Sequence, residues 1–147
     1  MNDEAFIKKG YLISTDKSLL DFDTIFNYLD QQSYWAKGMP PAKLKRAIAH
    51  SLCFGVYKDG IQAGFARVVT DEATFAYLCD VFILPAYQGV GLSKWLMQTI
   101  MAHPGLQGLR RWSLATQDAH GLYKQFGFKE INNPERWMQI FTPYIAE

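Results

Sequence analysis

Residues 52–84 read LCFGVYKDGIQAGFARVVTDEATFAYLCDVFIL. Two β-rich runs flank Lys58-Asp59-Gly60, and Asp59-Gly60 supplies the positive φ angles that a tight hairpin turn needs. A second turn at 71–73 (Asp-Glu-Ala) leads into a third strand-like run, 74–84, which Pro85 ends. Three consecutive antiparallel strands commit the chain to a sheet, and the helices of the remainder must bury their apolar sides against its faces.

The flanking segments supply those helices. Residues 11–15 (YLIST) have the apolar content of a short strand, followed by Asp16 and Ser18 as candidate caps. In 21–32, Phe22, Ile25, Phe26 and Leu29 fall at i, i+3, i+4, i+7, one face of a helix. SYWAKGMPP interrupts at 33–41, and its two prolines suit the opening of a helix over 42–51. After the third strand, Leu92, Trp95, Leu96, Thr99 and Ile100 line one side of a further helix that stops near His103-Pro104-Gly105. Residues 109–116 read as a strand, and 118–128 as a short helix with Asp118 placed to cap it and Gly127 placed to end it. FKEIN (128–132) and RWMQIFTP (136–143) look like two last strands. The order β-α-α-β-β-β-α-β-α-β-β predicts an α+β (mixed α/β) fold: a central, mostly antiparallel twisted sheet of about six or seven strands flanked by about four helices.

At 147 residues the chain fits one domain spanning 1–147. Fifteen basic residues stand against 14 acidic ones, a net charge of +1, and the densest basic patches are only KLKR at 43–46 and Arg110-Arg111. These read as solvated faces, so no nucleic-acid partner is expected. No apolar run approaches membrane-spanning length and MNDEAFIKK lacks a signal-type apolar region, so no membrane association is expected. Cys53 and Cys79 lie in strand-like contexts without metal-ligand spacing; they read as free thiols of a cytoplasmic protein that needs no metal.

Chemistry gathers where the third strand meets the following helix, at Gln88-Gly89-Val90-Gly91-Leu92-Ser93. The first turn of a helix leaves about four N–H groups without intrahelical partners, and the peptide dipoles place partial positive charge there. Glycines remove the side chains that would hold an anion away from those donors, and Gln88 and Ser93 can add hydrogen bonds. The run is not a P-loop, because Gly-Lys-Ser/Thr is missing. Nor is it the dinucleotide fingerprint, whose third glycine is replaced by Lys94. Taken alone it serves equally as a bare turn.

Its context is more specific. Pro85, Tyr87, QGVGLS, an amphipathic helix and, about thirty residues on, LYKQFGF together resemble the GNAT superfamily of N-acetyltransferases. The resemblance covers the element order of most of the chain, with its motifs between 79 and 128. It implies that Gln88, Gly89, Val90, Gly91, Leu92, Ser93 and Lys94 bind the pyrophosphate of coenzyme A, Ser93 replacing the family's glycine or alanine. It implies that the strand before the loop splays from its neighbour and that Val81, Phe82 and Ile83 offer backbone to the pantetheine arm and to the acetyl carbonyl. Thr116 falls where the family often has a cofactor-binding asparagine. Tyr123 matches the tyrosine that protonates the departing thiolate, and a phenol of pKa about 10 is a reasonable donor to a thiol of about 8.5.

Asp80, a carboxylate within an apolar strand, is either the catalytic base or a structural partner of Arg67 across the hairpin, and strand alternation can turn it away from the substrate. His120 stands one helical turn before Tyr123, either at the mouth of the site or as a surface residue. Tyr34 and Trp35 either enclose the acceptor or pack a helix corner. Cys79 beside Asp80 leaves a covalent route open. The function expected is an acetyl-CoA-dependent N-acetyltransferase acting on a small-molecule or peptide amine by direct transfer in a ternary complex. The alternative is a non-catalytic CoA-binding or sensing module on the same fold. The 136–143 run is a candidate pairing edge for a homodimer.

Overall fold

The computed structural model describes residues 3–144; residues 1–2 and 145–147, the ends of the expected 1–147 domain, lie outside the described residues. In chain order they form α1 (Asp3–Lys8), β1 (Tyr11–Ser14), α2 (Phe22–Gln31), α3 (Pro41–Ala49), β2 (Leu52–Lys58), β3 (Ile61–Thr70), β4 (Phe75–Ile83), α4 (Leu92–Ala102), β5 (Arg111–Ser113) and α5 (His120–Lys124). Asp59 and Gly60 take φ of 50° and 83° and close the β2–β3 hairpin as the sequence requires. At the next turn Asp71 accepts hydrogen bonds from the Thr74 hydroxyl and from the backbone N–H groups of Thr74, Ala73 and Phe75, which hold its carboxyl below the usual carboxylate range. The sheet order is β1-β2-β3-β4-β5, antiparallel except for the β4–β5 pair.

Two apolar layers sandwich this sheet. Asp21 caps α2 by accepting from the Thr24 N–H, and Pro41 opens α3. Together they press Ile25, Leu29 and Leu44 onto Cys53, Phe65 and Phe82. On the opposite face α4 buries Trp95, Leu96, Met97 and Ile100 against Phe54, Val68, Leu78 and Ile83. The α1 helix has no counterpart in the sequence reading. It is six residues long with no fully buried side chain, too short for periodicity to show; Phe6 stacks on Trp95 at 4.5 Å, and Asp3 accepts a hydrogen bond from the Trp95 indole.

The C-terminal part departs from expectation. Residues 128–132 and 136–143 join no ladder, so the sheet has five strands among the described residues instead of six or seven. Asn133 at φ 56° and Pro134 turn the chain into a short 3-10 segment, and β5 offers an edge only three residues long. Asp118 does not cap α5: Ala119 is the N-cap, and Thr116 Oγ1 accepts from its N–H at 3.1 Å. Gly127 does end that turn in the left-handed region, at φ 94°, with the Phe128 N–H bonded back to the Tyr123 carbonyl.

Leu96, fully buried between α4 and the sheet, is the residue whose truncation tests this packing. Leu96→Ala should cost about 2–5 kcal/mol, read as a lowered urea midpoint with an unchanged slope.

Candidate active site

Pro85–Tyr87 form a 3-10 turn, after which Gly89 (φ 88°) and Gly91 (φ 90°) both adopt left-handed backbone that an L side chain rarely takes. A Cβ on Gly89 would find no atom within 4 Å, so no internal packing demands its absence, only the backbone angle and whatever approaches from outside. Gly91 is the N-cap of α4 and brings no side-chain cap. The N–H groups of Leu92, Ser93 and Lys94 therefore have no partner among the described residues and point out of the helix end. Leu92 is buried and anchors the turn, while Val90 and Lys94 are exposed. Gln88 braces the loop from beneath: its Nε2 donates to the Ile83 carbonyl at 2.9 Å.

The strand leading to this loop leaves its neighbour, as expected. Parallel pairing of β4 with β5 runs from Phe75↔Arg111 to Tyr77↔Ser113 and stops, although β4 continues to Ile83. Against β3, Phe65 faces Phe82 and Arg67 faces Cys79, so β4 carries one extra residue there. Asp80 sits in that bulge at φ 55°, and neither it nor Val81 has a register partner. The bulge exchanges the faces of the strand: Leu78 packs in the α4 layer, but Phe82 packs in the α2–α3 layer. Simple alternation therefore misplaces Asp80, which lines a cavity on the α2–α3 side.

Asp80 is 5% exposed and both its oxygens are engaged. Arg67 Nε donates to Oδ2 at 2.8 Å and Trp35 Nε1 donates to Oδ1 at 3.0 Å. Arg67 NH1 continues to Ser51 Oγ at 3.0 Å. Of the two readings of Asp80, the partnership with Arg67 is present in the structure.

The cavity measures about 580 Å³ and opens where β4 and β5 part. Tyr34 and Trp35 reach it from the α2–α3 connection, which Ser33 fixes by donating to the Leu29 carbonyl and accepting from the Ala36 N–H. Thr116 and Tyr123 line this cavity and also a smaller one of about 330 Å³. His120 reaches only the smaller one, which separates it from Tyr34 and Trp35. Tyr77, Asp118, Phe141 and Tyr144 join the larger cavity without having been singled out from the sequence. Tyr77 could have been found, since it shares a strand face with Cys79; Phe141 could not, because its segment reads as a strand, and nothing in the sequence marks Tyr144, which follows that segment. A third cavity of about 720 Å³ lies between Arg111 and the Trp137 segment and contains none of the expected site residues.

Tyr123 is 9% exposed, its hydroxyl has no hydrogen-bond partner among the described residues, and its ring meets Phe128 edge-on at 6.0 Å. Burial, with Tyr34 and Asp118 nearby, pushes the phenol up to about 12. The Cys79 thiol is likewise pushed up to about 12, chiefly by burial. No cluster of metal-ligating side chains occurs among the described residues, nor is any helix there long and apolar enough to cross a membrane.

A sheet parted beside a glycine-opened helix, with a phenol at the gap, is the scaffold of an acetyltransferase. This chain belongs to the GNAT superfamily: the acetyltransferase (GNAT) domain model matches residues 49–130. A Gibberella zeae protein classed as an acetyltransferase is 36% identical, over 86% of this chain and 84% of its own length. A Xanthomonas campestris pv. campestris protein classed as a GNAT-family acetyltransferase has a crystal structure that superposes with a TM-score of 0.89. That pair is 55% identical and covers 92% of this chain and 95% of the other. The fold alone is shared with N-acetylglutamate synthase from Neisseria gonorrhoeae, whose structure holds coenzyme A and N-acetyl-glutamate. There the TM-score is 0.66 at 17% identity, over 85% of this chain and 30% of that one. Acetyl transfer is thus the general activity of the family to which the chain belongs.

A phenol with a raised pKa stays protonated where an ordinary tyrosine ionises. Stability linked to Tyr123 is therefore present below pH 10 and is lost as pH rises toward 12. Subtracting the alkaline absorbance titration of Tyr123→Phe from that of the wild type should give almost no tyrosinate signal between about pH 10 and about 11, where a free tyrosine would be half ionised or more.

Proposed function

We propose that the protein is an acetyl-CoA-dependent N-acetyltransferase that moves the acetyl group directly to a primary amine while both substrates are bound. The observation that carries this reading is the juxtaposition, along one parted strand, of a helix end with free N–H donors and a buried, protonated phenol.

The residues present fit coenzyme A. Gln88–Lys94 form a cradle with no side chain at Gly89 or Gly91 and no side-chain cap on the N–H groups of Leu92, Ser93 and Lys94, and it would hold the pyrophosphate. Val81, Phe82 and Ile83 border the gap that β5 leaves, so backbone there can pair with an extended pantetheine arm. Val81, which has no register partner in the bulge, would offer its N–H to the acetyl carbonyl oxygen. Thr116 already accepts from Ala119 N–H and keeps its hydroxyl proton and one lone pair for a ligand. The thioester, when bound, supplies an activated acetyl group.

Tyr123 then serves as the general acid. As the amine lone pair forms the C–N bond and the C–S bond breaks, the phenol proton passes to sulfur and the surplus amine proton leaves to water. Any tyrosine carries its proton at neutral pH; the raised pKa makes Tyr123 a weaker donor, so its proton must move together with C–S cleavage, not ahead of it. Asp80, with both oxygens accepting already, acts as a positioning residue that fixes the bulge and the Trp35 indole. Cys79 stays a thiol and takes no part.

The test begins with calorimetric titration of acetyl-CoA. The wild type should bind saturably, and Gly91→Asp, which sets a carboxylate at the helix end, should lose binding while keeping its circular dichroism spectrum. Tyr123→Phe should bind normally and lose roughly 10²-fold in kcat, the usual yield of a positioned acid. Binding with no transfer, and no effect of Tyr123→Phe, would mark a CoA-binding module instead. Asp80→Asn should lower kcat/KM by about tenfold and leave the acidic limb of the pH profile in place; disappearance of that limb would make Asp80 the base.

A further inference from the structure

We propose that the amine acceptor is a primary ammonium on an apolar body, with no carboxylate beside the amine; this rests on the acetyltransferase reading above. The cavity between β4 and the α2–α3 connection is framed by rings, among them Tyr34, Trp35, Tyr77, Tyr123, Phe141 and Tyr144. Several leave much of their surface uncovered: Tyr34 is 51% exposed, Tyr77 38% and Phe141 74%. The inner pair is held rigidly, perpendicular at 5.0 Å, because the Tyr34 hydroxyl accepts from the Gln117 N–H and the Trp35 indole donates to Asp80. Rings set in this way take an alkyl or aryl body out of water at little entropic cost and offer their faces to a cation. The protein already uses one so: Lys43 Nζ lies 5.7 Å from the centroid of the Tyr144 ring.

Charge decides which amine. Arg67, Asp80 and Asp118 are the acidic and basic side chains of the lining, and the first two neutralise each other at 2.8 Å. Asp118 is exposed at the cavity, makes no ion pair among the described residues, and its field reaches the Tyr123 phenol at the site of transfer. An incoming ammonium meets one uncompensated carboxylate and several ring faces. A carboxylate on the same substrate meets no free cation in the lining and the repulsion of Asp118, after losing its own hydration. The cavity thus favours simple amines over α-amino acids.

The experiment compares 2-phenylethylamine with phenylalanine, its α-carboxylate analogue, and with a lysine-containing peptide, at saturating acetyl-CoA. The expected result is a kcat/KM for 2-phenylethylamine about 30-fold or more above that for phenylalanine, the cost of one poorly solvated carboxylate. Asp118→Asn and Tyr77→Leu, both at exposed positions, should each raise KM for 2-phenylethylamine by about 3–10-fold and leave KM for acetyl-CoA unchanged. Phenylalanine used as well as the amine, or no effect of either variant on the amine KM, would overturn the proposal; use of the peptide, whose lysine side chain is an ammonium on an alkyl body with no carboxylate beside it, would support it. If acetyl-CoA binds in the calorimeter and no amine in the panel accelerates its consumption, the acceptor proposal falls alone. If acetyl-CoA does not bind, the acetyltransferase reading falls first and takes the proposal with it.

Discussion

Pairing between β4 and β5 ends at Tyr77 and Ser113, six residues before β4 itself ends, and a strand that parts from its neighbour leaves peptide groups to be satisfied some other way. On the β3 side the ladder resumes at Phe82 and Ile83, so the burden falls on the bulge at Asp80 and Val81. A non-glycine residue at φ 55° is uncommon, and aspartate is among the side chains that tolerate it. The bulge bends the strand and exchanges its faces, which lets one strand serve the α4 layer before it and the α2–α3 layer after it. It also brings Asp80 to the cavity side.

Holding that bent strand is the task of the Asp80 network. Ser51 at the start of β2, Arg67 in β3, Asp80 in β4 and Trp35 between α2 and α3 are linked by three hydrogen bonds of 2.8–3.0 Å. A buried ion pair gains little over a well-packed apolar core, but losing one partner leaves the other charge stranded, so such a pair acts mainly to define one arrangement. Here the arrangement defined is one wall of the cavity that Tyr34, Trp35 and Asp80 line. The same link orients Trp35, and through the Tyr34–Trp35 contact the Tyr34 ring in the same lining.

Much of this was legible before any coordinates. Asp59-Gly60, the period-3.6 faces of α2 and α4, and Gly89 and Gly91 each speak through local backbone preference, and each took the conformation that preference demands. What escaped depends on distant partners. The α1 helix is ordered by Phe6 and Asp3 meeting Trp95, some ninety residues away. The face of Asp80 depends on a bulge that no local signal announces, because alternation in 75–83 looks unbroken. The 136–143 run has strand composition, yet a strand needs an edge to pair with, and β5 presents only three residues after the turn at Asn133-Pro134. Phe141 and Tyr144 consequently reach the cavity mouth instead of a ladder.

The burial of Cys79 and Tyr123 also bears on the proposed acetyl transfer. Cys79 lines the same cavity as Tyr123, and a covalent route through it needs a thiolate. Burial pushes that thiol up to about 12, with Asp80 adding to the rise and Arg67 opposing it. At pH 7 such a group is ionised to about one part in 10⁵, against a few per cent for an ordinary exposed cysteine. The Tyr123 phenol experiences the same environment, but an acid is useful while it keeps its proton. Burial holds both groups in their protonated forms: it disables the nucleophile, while the phenol, protonated at pH 7 with or without the shift, becomes the weaker donor. Direct attack by the amine needs the acid and has no use for the nucleophile.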